Sequence, residues 1–471
     1  MSRSILLARI ATACFCVAAL SAAASWARAQ ANVNQAATTV QLPTFGVAID
    51  AEGVLSVKVF TDPTGELAAG RLAAAKAKLD VDVAAKSDLR KVSLVRLERA
   101  VRERVAAGGE PDDVMRHLAG LQRVDFVFIY PERGDIVLAG PAEGWMEDAA
   151  GRAVGMTTGR PVVLLEDLVV ALRAYPPGGR ERPFVGCTID PDADALVRLA
   201  EFQKTIPRSI PVALRGEASV RIAQGVRDSL GMAHVRVFGV SEQTHLAQVL
   251  IEADYRMKLI AVGIEPPPVK MATFISAIEG VRDGMLQRWW FTPHYDCVKL
   301  SDDRLAMELV GQGVQLQGED KVIGPDGKLL DSDGKPGKAS RTYTTNFTRK
   351  YPEIADKSPV YAQMRSVINL LIAAAFLRTD DVYGRVGWEP GIFADETALP
   401  VETLANPKQA QCVANSVWKG TRLFTPAGGG VSIQADEALL PENLQPDTGA
   451  KLGSLHEQLL HDAPDDRWWW D

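Results

Sequence analysis

The densest group of reactive side chains in the sequence is the run from His294 to Cys297. On a β-strand, His294 and Asp296 would point to one face, and Tyr295 and Cys297 to the other. A histidine beside an aspartate can position a general base for catalysis. The sequence places no nucleophile beside this pair, so we favour the alternative, which is a polar pair across two strands with a buried cysteine.

An aromatic pair precedes this run, since Trp289 and Trp290 could present a binding surface for a sugar or a peptide. Successive strand residues point to opposite faces, so only one of the two tryptophans can join any one surface. Core packing is therefore the favoured interpretation. The most informative observation for a ligand site would be whether Trp289, His294 and Asp254 approach the largest cavity of the structure.

A second aromatic group is formed by Trp468, Trp469 and Trp470, which are three of the nine tryptophans in the sequence and precede Asp471. Such side chains can anchor a partner's groove or a membrane interface. The alternative is a segment that is disordered or folded back on its own chain. The sequence does not choose between these interpretations, and we expect residues 441–471 as a whole to form a polar, loosely packed tail.

Several familiar motifs are incomplete. His456 and His461 would lie about 140° apart around a helix, so we predict no zinc site. Asp331–Gly334 resembles part of a calcium loop but lacks the glutamate at the twelfth position, which favours a turn. Gly311–Gly313 lacks the third glycine of a dinucleotide motif, and neither a nucleophile elbow nor a phosphate-binding loop occurs. We therefore predict no cofactor and no metal, and the sequence leaves open whether the protein is an enzyme.

Composition and charge narrow the classes of partner. The 471 residues carry 52 Lys and Arg against 59 Asp and Glu, a formal charge of −7, and the basic residues are mixed with acidic ones. This distribution lacks the basic surface that nucleic acids and anionic lipids require, so we predict no nucleic-acid partner. Cys187, Cys297 and Cys412 can form at most one disulfide, and the fold cannot depend on a disulfide framework.

Residues 1–29 have the three parts of a secretory signal peptide. Arginines precede the uncharged apolar run Ile10–Ala24, and a small-x-small pattern predicts cleavage between Ala29 and Gln30. An uncleaved membrane anchor is the alternative. The most apolar later run, Val367–Leu377, is too short to span a bilayer and predicts a buried helix. We therefore expect a periplasmic or secreted protein with no transmembrane segment after cleavage.

Hydrophobic periodicity predicts a mixed α+β and α/β fold that follows a flexible leader at 30–44. Residues 45–150 are predicted to form an α+β domain. Its first element is a β-hairpin at 45–60, and Ser93 is positioned to cap a later helix.

Residues 151–268 alternate strands with amphipathic helices, which predicts a central α/β domain with a largely parallel sheet. Its predicted strands are 184–189, 211–214, 235–240 and 259–263. Residues 269–440 are predicted to form a C-terminal α+β domain. This domain contains an antiparallel hairpin of two long strands, 288–300 and 305–317, and a long helix that begins at Ser358 and Pro359.

Four sequence strings resemble a known family. They are Ala253–Leu259, Trp289–Pro293, Leu309–Leu316, and Val417–Leu423 running into Gly428–Val431. On these strings the chain resembles, over residues 45–435, a family of exported proteins that is typical of planctomycetes. That family is a domain of unknown function, so the resemblance implies an exported location in a bacterial envelope and supplies no catalytic residue.

Three functions remain open. The first is a non-catalytic envelope or periplasmic protein that binds or assembles with an envelope protein or a glycan, which the export signal and the aromatic tail favour. The second is an exported hydrolase of peptide or glycan, whose site is assembled from distant residues. The third is a small-ligand binder at the crevice of the central α/β region, near the loops after Ile189 and Val240.

Overall fold

The fold comes from a computed structural model that describes residues 44–471 except 208, 279–284, 324–327, 332–335, 420, 461–463 and 465–466. The predicted signal peptide, its cleavage between Ala29 and Gln30, and the leader up to residue 43 lie outside the described residues. Residues 332–334 of the calcium-loop prediction and His461 also lie outside them.

The described strands are numbered in chain order. They are β1 (Thr44–Ile49), β2 (Val54–Phe60), β3 (Ser87–Ser93), β4 (Phe126–Tyr130), β5 (Asp135–Ala142), β6 (Trp145–Glu147), β7 (Ala153–Gly155), β8 (Val185–Asp190), β9 (Met232–Phe238), β10 (Met285–Pro293), β11 (Val298–Leu300), β12 (Ala306–Leu309), β13 (Val314–Ile323), β14 (Leu329–Asp331), β15 (Gln409–Gln411), β16 (Val413–Lys419), β17 (Thr421–Ile433), β18 (Leu444–Pro446) and β19 (Trp469–Trp470).

The described α-helices are numbered in the same way. They are α1 (Glu66–Lys78), α2 (Val81–Ala84), α3 (Leu94–Ala106), α4 (Asp113–Arg116), α5 (Leu165–Ala174), α6 (Ala193–Thr205), α7 (Arg215–Leu230), α8 (His245–Ala261), α9 (Phe274–Ala277), α10 (Lys338–Arg349), α11 (Tyr351–Lys357), α12 (Pro359–Thr379), α13 (Val382–Val386) and α14 (Lys451–Leu460).

Most of the strands lie in two sheets. The larger sheet has the order β1–β2–β15–β9–β8–β17–β10–β13–β14, and β16 pairs with β17 outside this path. The smaller sheet has the order β18–β11–β12–β4–β5–β3–β19, and β6 pairs with β7 separately. The fold is therefore mixed α+β, as predicted. The larger sheet takes strands from all three of the segments that the sequence analysis separates, and Thr44–Asp471 is one compact unit.

One bent hairpin joins the two sheets. Strand β10 pairs with β13 in the larger sheet, and the continuation of the same hairpin pairs β11 with β12 in the smaller one. The register is kept through the bend. There the N–H of His294 donates to the carbonyl oxygen of Gly313 at 3.1 Å, and the N–H of Val310 donates to the carbonyl oxygen of Cys297 at 2.8 Å. The predicted pairing of two long strands is therefore confirmed, and the bend divides each of them between two sheets.

Helix α12 lies at the centre of the structure. It begins at Pro359, directly after Ser358, as the sequence predicts, and it packs against α5 and α8. By length and composition α12 could cross a membrane, but nearly all of it is buried inside the protein, which confirms the buried helix predicted at 367–377. Its Asn369 donates to the carbonyl oxygen of Val124 at 2.7 Å, which ties the helix to the smaller sheet.

The first predicted elements are confirmed. Strands β1 and β2 form the antiparallel hairpin predicted at 45–60. The side chain of Ser93 accepts a hydrogen bond from the N–H of Arg96 at 3.1 Å and so caps α3, because the first N–H groups of a helix have no partner within it.

The parallel character predicted for the central region is wrong. Strands β8 and β9 pair antiparallel. Two helices, α6 and α7, lie between these strands, and because the chain reverses direction at each step, β9 runs opposite to β8. The predicted strand 211–214 is a short 3-10 turn, Val212–Leu214, that leads into α7. The predicted strand 259–263 contains the last turn of α8. Short apolar runs of this length have no periodicity that separates a strand from a helix end.

Gly429 is required by the close pairing of β17 with β10. Its φ is +129°, and a Cβ atom there would overlap the carbonyl oxygen of Trp289, its partner across the pair. We expect Gly429→Ala to lower the free energy of unfolding by about 3 kcal/mol or more, from backbone strain and steric overlap. Urea denaturation of the purified variant measures this loss.

The matched control is Gly216→Ala, at an exposed position in the first turn of α7 where a Cβ atom would meet nothing within 4 Å. Alanine favours a helix over glycine by roughly 0.5–1 kcal/mol, so this variant should be slightly more stable than the native chain. Equal effects of the two substitutions would contradict the packing that we assign to Gly429.

Candidate functional site

The structure places Trp289 in the core. Its side chain is fully buried, its Nε1 donates to Ser340 Oγ at 2.8 Å, and its ring makes edge contacts with Phe274 and Tyr343. Each of these contacts is made inside the protein, so Trp289 has no exposed face to offer a ligand. The core-packing interpretation of Trp289 is thus confirmed.

The run from His294 to Cys297 lies in the bend of the shared hairpin. His294 Nδ1 is hydrogen-bonded to the carboxylate of Asp296, which is largely exposed. Burial raises the pKa of Tyr295 to about 12 and that of Cys297 to about 11, so both side chains stay protonated at neutral pH. Cys187, Cys297 and Cys412 are all buried free thiols.

Asp254 lies on α8 and has no exposed surface. Burial raises its pKa to about 6, while the ion pair with Lys258, at 2.7 Å between Oδ2 and Nζ, acts in the opposite direction. Lys258 Nζ also donates to the carbonyl oxygen of Ile189 at 3.0 Å. The charge of Asp254 is therefore used inside the core, in the ion pair with Lys258.

Residues Arg467–Asp471, which we call the tryptophan segment, are folded back onto the chain. Strand β19 pairs antiparallel with β3, and Trp470 is buried. The expectation of a loosely packed tail is wrong, because α14 is amphipathic and buries Leu452 and Leu459 against the smaller sheet. His456, on the same helix, has its Nε2 at 2.8 Å from the carbonyl oxygen of Ile129.

A cavity with a chemically varied lining lies elsewhere, between the end of α3, helix α4, the start of α5 and residues 398–403. We call it the α4–α5 pocket, and its volume is about 720 Å³. Its lining includes the apolar residues Val105, Val169, Leu399 and Val401. A volume of a few hundred cubic ångström and a mostly apolar wall are typical of small-molecule sites.

The lining of the α4–α5 pocket also includes charged groups, and most of them are paired. Glu110 forms an ion pair with Arg116, and Asp113 forms one with Lys78. The hydrogen bond from Lys78 lowers the pKa of Asp113, which keeps that carboxylate ionised. The opposite charges within each pair cancel. The excess negative charge of the pocket therefore comes from two further lining residues.

Those two residues are Glu147, which is exposed, and Glu166, which is half-buried in the first turn of α5. Burial raises the pKa of Glu166, and within the described part of the chain its carboxylate has no hydrogen bond or ion pair. The adjacent Asp167 is instead buried and paired with His245, whose Nδ1 lies 2.9 Å from Oδ2. Glu166 is therefore the group in this pocket that a ligand can neutralise.

His117 supplies a neutral acceptor in the same pocket. Its Nδ1 lies 2.7 Å from the carbonyl oxygen of Asp113, which assigns the proton to Nδ1. Burial lowers the pKa of His117, so the ring is uncharged at neutral pH, and it packs against Trp145 with centroids 4.8 Å apart. The lone pair of Nε2 has no partner among the described residues and remains able to accept a hydrogen bond or a proton.

Sequence reasoning missed this pocket. His117 and Glu166 are far apart along the chain and belong to no motif. The one usable signal was Glu166 and Asp167 together at the start of an otherwise apolar helix, where one of two acids must be buried. The loops after Ile189 and Val240, where the third hypothesis places a ligand, do not line the α4–α5 pocket.

Comparison with known proteins gives one match. A family model described as a protein of unknown function (DUF1598) matches residues 187–274. No curated protein and no solved structure matches the chain. The match agrees with the resemblance to a family of unknown function, over a shorter stretch than 45–435. It includes Asp254 and Lys258 and leaves out the residues that line the α4–α5 pocket.

The contrast between Glu166 and Asp167 predicts opposite effects on stability. Because burial raises the pKa of Glu166 in the folded state, the ionised form destabilises the fold as pH rises through that pKa. Glu166→Gln should therefore raise the free energy of unfolding at pH 7, and this gain should vanish by about pH 3, where Glu166 is protonated in both the folded and the unfolded state. Urea denaturation at the two pH values measures it.

Asp167→Asn is the matched control, because this carboxylate has a partner. Burial alone would lower the pKa of His245, but the charge and hydrogen bond of Asp167, together with the charge of Glu166, outweigh burial and raise it. The stabilisation that Asp167 gives through His245 is present at pH values below the pKa of an unfolded histidine. It is lost as the pH rises through the raised pKa of His245. Asp167→Asn should cost about 1–3 kcal/mol at pH 6. If Glu166→Gln were destabilising as well, Glu166 would have a partner in solution.

Proposed function

We propose that the protein is an exported, non-catalytic binding protein, and that its ligand is a small amphiphilic molecule with a protonated amine held in the α4–α5 pocket. The observation that carries this proposal is Glu166, a half-buried carboxylate without a partner among the described residues, in a pocket whose other charges are largely paired. A protonated amine beside Glu166 would supply the missing charge, and an apolar body would contact the apolar residues of the lining.

The same lining favours an amine over an anion. After the two ion pairs are counted, Glu147 and Glu166 leave the pocket with excess negative charge, and His117 is neutral. An anionic ligand would meet repulsion without a free cation to offset it. His117 Nε2 can accept a hydrogen bond from the amine or from a neighbouring hydroxyl group.

An exported hydrolase is the second candidate, and one observation favours it. Glu166, with a raised pKa, and His117, with a lowered one, line the same pocket. Carboxyl and imidazole groups tuned in this way can serve as general acid and general base. The binding experiment below includes the outcome that would favour catalysis.

The binding proposal is tested with octylamine, octanol and octanoate, which share one apolar chain and differ in the head group. We expect octylamine to bind most tightly by isothermal titration calorimetry. Loss of one charge-assisted contact should make binding of octylamine to Glu166→Gln roughly tenfold weaker. Glu147→Gln is the matched control, because this carboxylate lines the pocket but is exposed, and it should change affinity far less.

Octanoate binding as tightly as octylamine would contradict the proposed ligand class, and so would an unchanged affinity in Glu166→Gln. Hydrolysis of octylamides by the native chain, abolished by His117→Ala, would replace the binding function with the hydrolase.

The export part of the proposal is supported by the signal-peptide pattern alone. We expect mature protein isolated from the periplasm or the medium of a diderm host to begin at Gln30 when sequenced from its amino terminus. A chain with Ala29→Leu should be processed poorly, because the peptidase needs a small residue there. Protein that retains Met1 in the cytosol would overturn this assignment.

A further inference from the structure

The tryptophan segment extends the smaller sheet as an added edge strand. Trp469 pairs with Val92 and Trp470 with Lys91, and the N–H of Ser93 donates to the carbonyl oxygen of Trp468 at 2.8 Å. Without this segment β3 would be the edge of the sheet. Addition of an extended peptide to an exposed sheet edge is a general mode of peptide recognition, in which main-chain hydrogen bonds supply affinity and side-chain contacts supply specificity.

The body of the protein provides a preformed receptor for the carboxylate of the segment. Arg90 is fully buried, and its guanidinium donates to four backbone carbonyl groups at 2.6–3.1 Å, those of Asp82, Val83, Ala85 and Ala119. None of these carbonyl groups belongs to the segment, so the receptor geometry does not depend on it.

Both oxygens of the Asp471 carboxylate accept hydrogen bonds from Arg90, at 2.8 Å from Nε and 2.9 Å from Nη2. Burial alone would raise the pKa of Asp471, but hydrogen bonds from Arg90 and Ser87 outweigh it and lower the value. The pair has the planar, two-bond geometry that makes arginine selective for carboxylates. Asp471 is therefore the side chain that neutralises Arg90 in the described structure.

Two of the three indole rings of the segment lie against arginine side chains. Arg90 lies 4.7 Å from the ring centroid of Trp469, and Arg96 lies 4.8 Å from that of Trp470. Arg96 is itself fixed by Asp135 at 2.8 Å, and it donates to the carbonyl oxygen of Arg467 at 2.7 Å. Each part of the segment, its backbone, its rings and its carboxylate, thus meets a group placed by the body of the protein.

The residues that contact the tryptophan segment are distant from it in the sequence. Open clefts lie beside the segment. The residues that receive it lie between 82 and 135, while clefts of about 600 and 440 Å³ lie beside it. A second copy of the chain presents the same groove and the same segment, so every contact made within one chain can be made between two. The two arrangements make the same contacts with the groove and differ in effective concentration.

We infer that the groove along β3 is an interaction surface for the tryptophan segment of a second copy of this chain, and that two chains form a dimer by exchanging their segments. Docking within one chain dominates in dilute solution, because a short connection gives an effective concentration in the millimolar range. Exchange becomes favourable at high protein concentration or when the segment of one chain cannot occupy its own groove. This dimer does not depend on the pocket ligand proposed above.

The receptor is tested first, with a full chain that carries a protease site in place of residues 461–463 and is cut after it has folded. A fluorescent peptide of sequence RWWWD should bind the cut protein, as measured by anisotropy, at least tenfold more tightly than the uncut protein, in which the attached segment competes. The matched peptide RWWWN should bind at least tenfold more weakly than RWWWD. Equal binding of the two peptides, or no binding to the cut protein, would overturn the receptor assignment.

The exchange is tested with two full-length variants. One carries Trp470→Ala and Asp471→Asn, which leaves its groove empty, and the other carries Arg90→Leu, which removes the receptor and keeps the segment. Light scattering should show a heterodimer when the two are mixed and monomers when each is alone. If Arg90→Leu does not fold, the native chain takes its place, and the mixture should still form the heterodimer at high concentration. RWWWD binding without any heterodimer would overturn the exchange.

Discussion

The structure depends on the burial of a charged helix. Helix α8 is buried although it carries four charged residues. These residues, each at most 6 % exposed, are Glu252, Asp254, Arg256 and Lys258. A charge in such a position costs several kcal/mol unless a partner of opposite sign lies beside it. Lys258 neutralises Asp254, while Arg256 contacts Glu252 at 3.2 Å and Glu265 at 2.7 Å. The helix can therefore occupy the core only in the one position where each of these charges meets its partner.

These partners determine where other elements lie. Arg152 reaches Glu252 at 2.5 Å and also donates to the carbonyl oxygen of Phe45 at 2.8 Å, so β1 is held next to α8. Lys258 holds the end of β8 through Ile189. The family model matches this part of the chain, at 187–274, and not the α4–α5 pocket.

The sequence predicts local structure well where one residue or turn decides it. Ser93 caps α3 through its side chain, and Pro359 begins α12, because proline tolerates the first position of a helix. Ser358 precedes that helix without a capping hydrogen bond from its side chain. The sequence predicts less well where distant parts of the chain decide the structure. The connection through two helices makes β8 and β9 antiparallel, and no local pattern indicates this direction. The pocket could not be predicted for the same reason, since no local pattern reports that α4 and α5 pack side by side.

Helix α4 connects the two sites that we propose. Asp113 and Arg116 lie on one face and line the α4–α5 pocket, while Val114 and the capping residue Asp112 line the cleft beside Trp468. A helix of one turn with four residues cannot shift on one side without moving the other, because its side chains share one backbone. The α4–α5 pocket and the cleft beside the tryptophan segment therefore share one structural element, although neither of the two proposals requires the other.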